Sequence, residues 1–188
     1  MCRIGLHVMT QDTEVIRQVL QGDVESFRFL VERYERPIIR MIRNVTGDAE
    51  GCEDIAHDVF LAAYRKLSSF DPACSRFSTW LFTIARNKSI NAFRKKRPRS
   101  MSKLPDRPCV HNPGGELGKK EFFVRLDGAL QALPVAQRRA FVLAEFEKLP
   151  YAEIAMIERT GIGTIKSRIN RAKRKLRLVL EDFAGGAE

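Results

Sequence analysis

The sequence predicts an all-α protein with two small helical domains joined by a flexible linker, the C-terminal one a helix-turn-helix. Apolar residues recur every three or four positions before residue 98 and again after about residue 118, whereas the alternation typical of a strand is almost absent. Residues 98–115 contain four prolines and two adjacent glycines, which do not continue a helix. A length of 188 residues accommodates two small domains. We predict an N-terminal tail over 1–12, a first domain over 13–97, a linker over 98–118 and a second domain over 119–183. A long loop inside one domain is the alternative to the linker.

The charge balance points to an acidic partner. Thirty-three Lys and Arg against 23 Asp and Glu give a formal net charge of +10, which favours nucleic acid first and an acidic protein or lipid surface second. No apolar run approaches the ~18 residues needed to cross a bilayer, and residues 1–8 are too short and too polar for a secretory signal. These features predict a soluble, cytoplasmic protein without membrane insertion.

The sequence contains no recognisable catalytic or metal-binding motif. Cys2, Cys52, Cys74 and Cys109 are scattered without a close pair, so their spacing favours thiols in a reducing compartment over a zinc site. A redox or metal-sensing role for these cysteines stays open. Because no Ser-His-Asp, HExxH or phosphate-loop pattern is present, we expect no enzyme activity and no cofactor.

The first long helix is predicted to begin near Asp23, which follows Gly22 and suits a helix cap. Pro37 lies within it and is expected to kink or interrupt it. Gly47-Asp48 ends the pattern. The apolar stripe consists of Phe27, Leu30, Val31, Tyr34, Ile38, Met41, Ile42 and Val45.

The next helix has one apolar and one acidic face. Its predicted buried side chains are Ile55, Ala56, Val59, Phe60, Ala63 and Leu67. The opposite side presents Asp54, His57, Asp58, Leu61 and Arg65. An acidic face with a leucine in its middle suits docking to a basic, partly apolar partner. An ordinary solvated face and a nuclease-like metal site at Glu53, Asp54 and Asp58 are the alternatives.

Aromatic and basic residues follow in close succession. Residues 68–77 read as a loop and residues 78–97 as a helix ending in a basic run. The aromatic residues are Phe70, Phe77, Trp80 and Phe82, and the polar stripe of the helix is Thr83, Asn87, Asn91 and Arg94. Rings that stack bases beside cations that hold phosphates are typical of single-stranded DNA binding, while burial in the core is the alternative for each ring.

The second domain ends in a predicted helix-turn-helix. A short helix over 151–158 and a turn over 159–162 precede a long helix from Gly163. The buried seam of the long helix is predicted to be Ile165, Ile169, Ala172, Leu176 and Val179. Seven basic and no acidic residues lie between Lys166 and Arg177, as expected of a helix that enters the major groove, with Lys166, Arg168 and Arg171 the leading candidates.

The order of these parts resembles the extracytoplasmic-function (ECF) sigma factors of the sigma-70 family. The resemblance covers nearly the whole chain and is most specific at Trp80-Leu81 with Ile84-Ala85-Arg86-Asn87, and at the run from Gly163 to Arg168. The sequence departs from the family at Arg159 and Thr160, where Gly and an aliphatic residue are more usual. The first eight residues match nothing, so Met9 is an alternative start, and we expect no added C-terminal sensory domain.

The resemblance implies a promoter-recognition subunit of bacterial RNA polymerase. Glu53, Asp54, Asp58 and Leu61 would bind the clamp helices of the largest polymerase subunit. The −10 element, duplex and then melted, would be read by Phe70, Phe77, Trp80, Arg86, Asn87, Asn91 and Arg94. The −35 duplex would be read by Thr164, Lys166, Ser167, Arg168, Arg171 and Lys173. The family also implies an anti-sigma partner. A stand-alone helix-turn-helix regulator is the alternative function.

Overall fold

The described part of the chain is entirely helical apart from short turns. A computed structural model describes residues 3–46, 51–96 and 117–184, and within these ranges it contains eight α-helices and no strand. The helices are α1 (Arg3–Leu20), α2 (Phe27–Thr46), α3 (Cys52–Arg65), α4 (Phe77–Lys96), α5 (Leu117–Gln131), α6 (Val135–Glu145), α7 (Tyr151–Glu158) and α8 (Ile162–Ala184). The predicted all-α class is confirmed.

Helix α1 begins at Arg3, ten residues before the predicted start of the first domain. We expected a tail over 1–12, whereas residues 3–12 are helical. Asp12 is buried, and its carboxylate accepts a 2.6 Å hydrogen bond from the Tyr34 hydroxyl and pairs with Arg33. Burial and this hydrogen bond raise the pKa of Tyr34. These partners offset the desolvation of the carboxylate, and they fix α1 against α2. A periodicity search misses this contact because it is polar.

Helix α2 runs without a break through Pro37, so the expected interruption does not occur. A proline removes one backbone donor, but packing on the apolar side can hold the helix together. Ile38, immediately after the proline, and Met41, about one turn further on, are both almost fully buried. The predicted end at Gly47-Asp48 lies outside the described residues.

The inward faces of α3 and α4 follow the predicted periodicity. Val59, Ala63, Leu81 and Ala85 have essentially no exposed surface. Completely burying one large apolar side chain contributes about 1.5–3 kcal/mol, so Val59 and Leu81 stabilise the first domain more than the two alanines do.

The second domain packs around α8. Leu130 and Leu133 of the α5 region pack with Ala172 and Leu176 of α8 in a separate apolar cluster. Val179, predicted to belong to the same seam, is instead 44% exposed, and the last α8 residue of the described cluster is Leu176. The predicted linker over 98–118 falls outside the described residues, except for Leu117 and Gly118, which begin α5.

The two domains share an apolar core, which the sequence did not predict. Helix α2 packs against α6, and α4 packs against α7. Buried residues of the second domain, among them Leu143, Ile154 and Ile157, join the core of the first. Within the described ranges, no helix is both long enough and apolar enough to cross a membrane.

Candidate nucleic-acid interface

Helix α3 presents the predicted acidic face to solvent. Glu53, Asp54 and Asp58 are exposed, and Leu61 among them is 38% exposed. Glu53 and Asp54 lie in the first turn of α3, where the helix dipole favours negative charge. We call Glu53, Asp54, Asp58 and Leu61 the docking face. Its sequence-predicted members therefore lie together on one surface.

A shallow groove borders the docking face where α3 meets α4. It is lined by Asp58, Leu61, Arg65 and Lys88, among others. The ammonium of Lys88 lies 3.4 Å from the Asp58 carboxylate, with both side chains largely exposed. An exposed pair of this kind contributes little to stability, so Asp58 remains available to a cationic partner.

Three rings form a cluster where the loop before α4 meets the start of that helix. Phe70 comes from the loop, and Phe77 and Trp80 come from the first turn of α4. We call these three residues the aromatic loop. Its ring centroids lie 5.5 to 5.7 Å apart. Phe77 is 3% exposed and also contacts the Tyr34 ring, so it belongs to the core. Phe70 and Trp80 are half-buried and keep part of each ring at the surface. Burial in the core, the alternative given for each ring, is confirmed for Phe77, while base stacking by Phe70 and Trp80 stays a prediction.

The turn between Phe70 and Phe77 is closed by Asp71. Its carboxylate accepts a 2.8 Å hydrogen bond from the Ala73 amide and one from the Cys74 thiol. These bonds lower the pKa of Asp71 and raise that of Cys74. The side chain thus replaces solvent for a backbone donor and fixes the loop between α3 and α4.

The polar residues of α4 have different surroundings. Asn91 is exposed, while Asn87 is half-buried and accepts a 3.3 Å hydrogen bond from Arg86. Thr83 bonds back to the Thr79 carbonyl. Arg94 lies in the last turns of α4, and its side chain lies outside those that the structure describes.

The helix-turn-helix forms at the predicted positions. Helix α7 covers 151–158, and its first residue beyond the end, Arg159, has φ 52° and ψ 52°. This left-handed conformation is the one that glycine adopts most readily, and here an arginine adopts it. The Thr160 amide then bonds the Ala155 carbonyl at 3.0 Å and closes the turn.

The N-terminal half of α8 carries the predicted recognition residues. Thr164, Lys166 and Arg171 are exposed, and Ser167 and Arg168 are half-buried. Lys173 is exposed but pairs with Glu145 at 2.8 Å, which raises its pKa. Among the predicted −35 residues, Lys166 and Arg171 are therefore the cations without an acidic partner among the described side chains.

Glu158 was not identified from the sequence, yet it joins both predicted DNA-reading surfaces. Its carboxylate is fully buried and accepts hydrogen bonds of 2.7 and 2.5 Å from Arg139. Arg168 of α8 lies 3.6 Å from it, and Arg86 of α4 lies 3.5 Å from it. No sequence pattern relates these residues, because they lie far apart along the chain and meet only through tertiary packing.

Two helical domains, one with an exposed acidic face and the other with a helix-turn-helix whose second helix is basic, define a protein of the helix-turn-helix class. The family models "Sigma-70 region 2" and "Sigma-70, region 4" match residues 30–99 and 123–176. The chain is 31% identical to the RNA polymerase sigma-H factor of Pseudomonas aeruginosa, over 91% of this chain and 94% of that protein. It is 30% identical to the ECF RNA polymerase sigma factor SigW of Bacillus subtilis, over 89% and 96%. The chain belongs to the sigma-70 family, among its ECF members.

Solved structures share the fold. The sigma factor RpoE of Bartonella quintana, in complex with the anti-sigma factor NepR, superimposes with a TM-score of 0.68 at 25% identity, covering 84% of this chain and 98% of that chain. CnrH, in complex with the cytosolic domain of CnrY, gives the same TM-score at 24% identity, covering 89% and 96%. The second likeness concerns the fold alone.

Proposed function

We propose that this sigma factor binds core RNA polymerase through the docking face and reads promoter DNA through the aromatic loop, α4 and α8. The observation that carries the proposal is the separation of charge: an exposed acidic face on α3 and an exposed basic face on α8 lie on different domains. Opposite charges in separate places suit two partners of opposite charge. Phosphodiester chemistry would belong to the polymerase, and the factor would act in the cytoplasm, where that enzyme works.

The docking face would bind the clamp helices of the largest polymerase subunit. Three carboxylates would steer a basic coiled coil, and Leu61 at 38% exposure would supply an apolar contact at the centre. Exposed charges that lack internal partners lose little by binding, because no internal ion pair has to be broken. Asp58 is the exception, and its contact with Lys88 is long.

The aromatic loop and α4 would engage the −10 element as it melts. Phe70 and Trp80 offer partly exposed rings on which an unstacked base can pack, and the buried Phe77 would hold both in place. Base–ring stacking contributes about 1–3 kcal/mol per base, which offsets the cost of opening a base pair. Arg86, Asn87, Asn91 and Arg94 would contact base edges and phosphates along the same helix.

Helix α8 would enter the major groove of the −35 element. Thr164, Lys166 and Ser167 lie in its first two turns, where a recognition helix contacts bases. Arg168, Arg171 and Lys173 would add base and phosphate contacts. Each phosphate contact should add about one unit to the slope of log affinity against log salt.

We also propose that an anti-sigma protein regulates this chain. Support comes from the B. quintana relative RpoE, which was solved with the anti-sigma factor NepR. The partner would cover the docking face or the DNA-reading surfaces.

Run-off transcription with purified core polymerase tests the central proposal. We expect the factor to direct initiation at new start sites, and to bind promoter DNA tightly only when core is present. Tight binding to duplex DNA without core, with no new start sites, would instead identify a stand-alone helix-turn-helix regulator. Start sites unchanged by the factor would overturn the proposal.

A further inference from the structure

Helix α3 carries opposite charges at its two ends, and the docking face covers only the acidic one. Glu53 and Asp54 lie in its first turn, while Arg65 lies in its last turn and Lys66 follows directly. Lys88 of α4 lies beside this second end, in the groove that Arg65 and Lys66 also line. We call Arg65, Lys66 and Lys88 the cationic end. The proposed function uses none of these three residues.

The charged and apolar side chains of α3 form one continuous stripe. Asp58, Leu61 and Arg65 follow one another at intervals of three and four residues, and all three are exposed. At a rise of 1.5 Å per residue, Asp58 lies about 4.5 Å before Leu61 along the helix axis, and Arg65 lies about 6 Å beyond it. The stripe therefore presents an anion, an apolar side chain and a cation in that order.

The groove beside the cationic end fits one acidic side chain. Its volume is about 260 Å³, below the roughly 300–1,000 Å³ of pockets that hold small molecules. Leu61 and Ala62 give it an apolar wall, and the cationic end supplies three cations against the single carboxylate of Asp58. A glutamate side chain, an aliphatic stem that ends in a carboxylate, matches both features. A DNA phosphate would bring charge without an apolar stem, and Asp58 would repel it.

The cations of this end are available to a partner. Arg65 and Lys66 are exposed, and among the residues that the structure describes neither side chain forms an ion pair. Lys88 pairs with Asp58 at 3.4 Å, with both side chains largely exposed, and a pair of this kind is easily broken. A partner with charges of both signs can therefore exchange this one pair for two new ones.

The dipole of α3 does not account for the whole arrangement. Acidic residues in the first turn and basic residues in the last turn stabilise a helix, which explains Glu53, Asp54 and Arg65 without any partner. Lys88 belongs to α4, so the dipole of α3 does not explain its place beside Arg65. Cations from two helices that meet at one groove favour a binding role.

We propose that the cationic end is the second half of the polymerase docking surface, and that it binds an acidic side chain on the same partner helix whose basic residue faces Asp58. This inference rests on the proposed function. Packed helices most often cross at about 20° or 50°, so the partner helix runs roughly along α3. It then carries a basic, an apolar and an acidic residue, spaced three or four residues apart, in the order that matches Asp58, Leu61 and Arg65.

The two ends together fix the direction in which the partner helix lies. Reversing that helix would place its acidic residue beside Asp58 and its basic residue beside Arg65, and like charges brought together exclude the reversed arrangement. A docking face with carboxylates alone would accept a basic helix in either direction. The cationic end therefore supplies orientation in addition to affinity.

The first test neutralises the cationic end. Arg65→Gln with Lys88→Gln removes two cations whose side chains lie at the surface. Arg17→Gln with Arg28→Gln is the matched control, since it removes the same charge from exposed positions elsewhere in the first domain. By fluorescence anisotropy of the labelled factor at fixed salt, we expect the first variant to bind core polymerase roughly tenfold more weakly than the control. Equal affinities for core would overturn the inference.

Two other roles for these cations give different results in the same comparison. If Arg65 and Lys88 contacted DNA, their variant would bind core like the control. Its holoenzyme would then lose affinity for promoter DNA, and the salt slope would fall by about two units. If they only stabilised α3, their variant would unfold at a lower temperature than the control and bind core equally well. Either result would overturn the inference.

The second test follows the exchange of partners at Lys88. A carbodiimide couples an ammonium to a carboxylate that touches it, and peptide mass mapping identifies the products. In the free chain we expect Lys88 to couple to Asp58. With core bound, this product should decrease, and Lys88 should couple to an acidic residue of the largest polymerase subunit. Lys88→Arg keeps the charge but is not coupled, so it identifies both products by their loss. An internal product that core leaves undiminished would contradict the exchange.

Failure of the proposed function would give a different pattern from failure of this inference. If the docking face did not bind core, Asp54→Arg with Asp58→Arg would bind core like the control, and so would the neutralised cationic end. If the cationic end alone were unused, the first of these variants would lose core binding and the second would keep it.

Discussion

Arg139 and Glu158 form a two-point ion pair inside the helix-turn-helix domain, with N–O distances of 2.7 and 2.5 Å. Both residues are buried, and the pair joins α6 to the last residue of α7. Two parallel hydrogen bonds in a dry environment satisfy both charges at once. The pair therefore fixes the position of α7, and through the turn the direction of α8.

Replacing Glu158 should destabilise the second domain strongly. Glu158→Ala leaves the buried Arg139 guanidinium without its partner, which typically costs about 3–5 kcal/mol. We expect a loss of that size in the free energy of unfolding, measured with urea. Glu14→Ala, which breaks an exposed pair on α1, is the control and should leave the free energy of unfolding nearly unchanged. Similar losses in the two variants would contradict a structural role for Glu158.

Reversing charge on the docking face should abolish binding to core polymerase. Asp54→Arg with Asp58→Arg places cations where the proposed partner is basic, while both positions are exposed and leave the core untouched. We expect loss of co-purification with core and an unchanged circular dichroism spectrum.

Glu14→Arg with Glu25→Arg is the matched control, since it makes the same charge change at exposed positions elsewhere in the first domain. The control should still co-purify with core. Retained binding by the Asp54 and Asp58 variant would refute the docking face.

Removing cations from α8 should weaken use of the −35 element. Lys166→Ala with Arg168→Ala should reduce transcription from a promoter that depends on that element by roughly tenfold or more, as expected for the loss of two base or phosphate contacts. Arg17→Ala with Arg28→Ala removes the same charge from exposed sites of the first domain and should have little effect. Full activity of the α8 variant would exclude α8 as the recognition helix.

The sequence predicted the buried faces of the helices but not what covers them. Periodicity correctly assigned Val59, Ala63 and Ile165 to the core because a helix face repeats along the chain. It assigned Val179 wrongly, because the repeat continues past the point where another helix covers it. The extent of a partner helix is a tertiary property that one segment does not contain.

For the candidate site too, the sequence predicted which side chains are exposed but not which contacts they make. The exposed positions of Asp54, Asp58 and Lys166 follow from their place opposite the apolar stripe. The contact of Arg86 with Glu158 does not, since it depends on how the two domains meet, and the contact of Arg168 with Glu158 depends on how α8 packs against α7. A polar residue on a helix has the same sequence signature whether it faces solvent, DNA or another domain.

The left-handed residue at the turn offers a way to stabilise the protein. Arg159 is exposed and has φ 52°, a conformation that costs a side-chain-bearing residue about 1 kcal/mol relative to glycine. Arg159→Gly should therefore raise the free energy of unfolding by about 0.5–1 kcal/mol, measured with urea. Arg174→Gly, in the middle of α8, is the control and should lower it by about 1 kcal/mol. Destabilisation by Arg159→Gly would show that its side chain supports the turn.

Arg40 and Glu147 form an ion pair of 2.9 Å between the two domains, and the contribution of Glu147 to stability should depend on pH. Burial raises the pKa of Glu147 above its ordinary value of 4.5, so folding favours the protonated form. The stability that Glu147 contributes is thus fully present below about pH 4.5 and is lost as pH rises through the raised pKa. Glu147→Gln, which resembles the protonated acid at every pH, should gain stability relative to the natural chain over that interval and then keep a constant difference. Urea unfolding of both chains from pH 4 to pH 7 measures this difference in the free energy of unfolding. If the advantage of Glu147→Gln fell as pH rises, attraction to Arg40 would exceed the cost of burying Glu147.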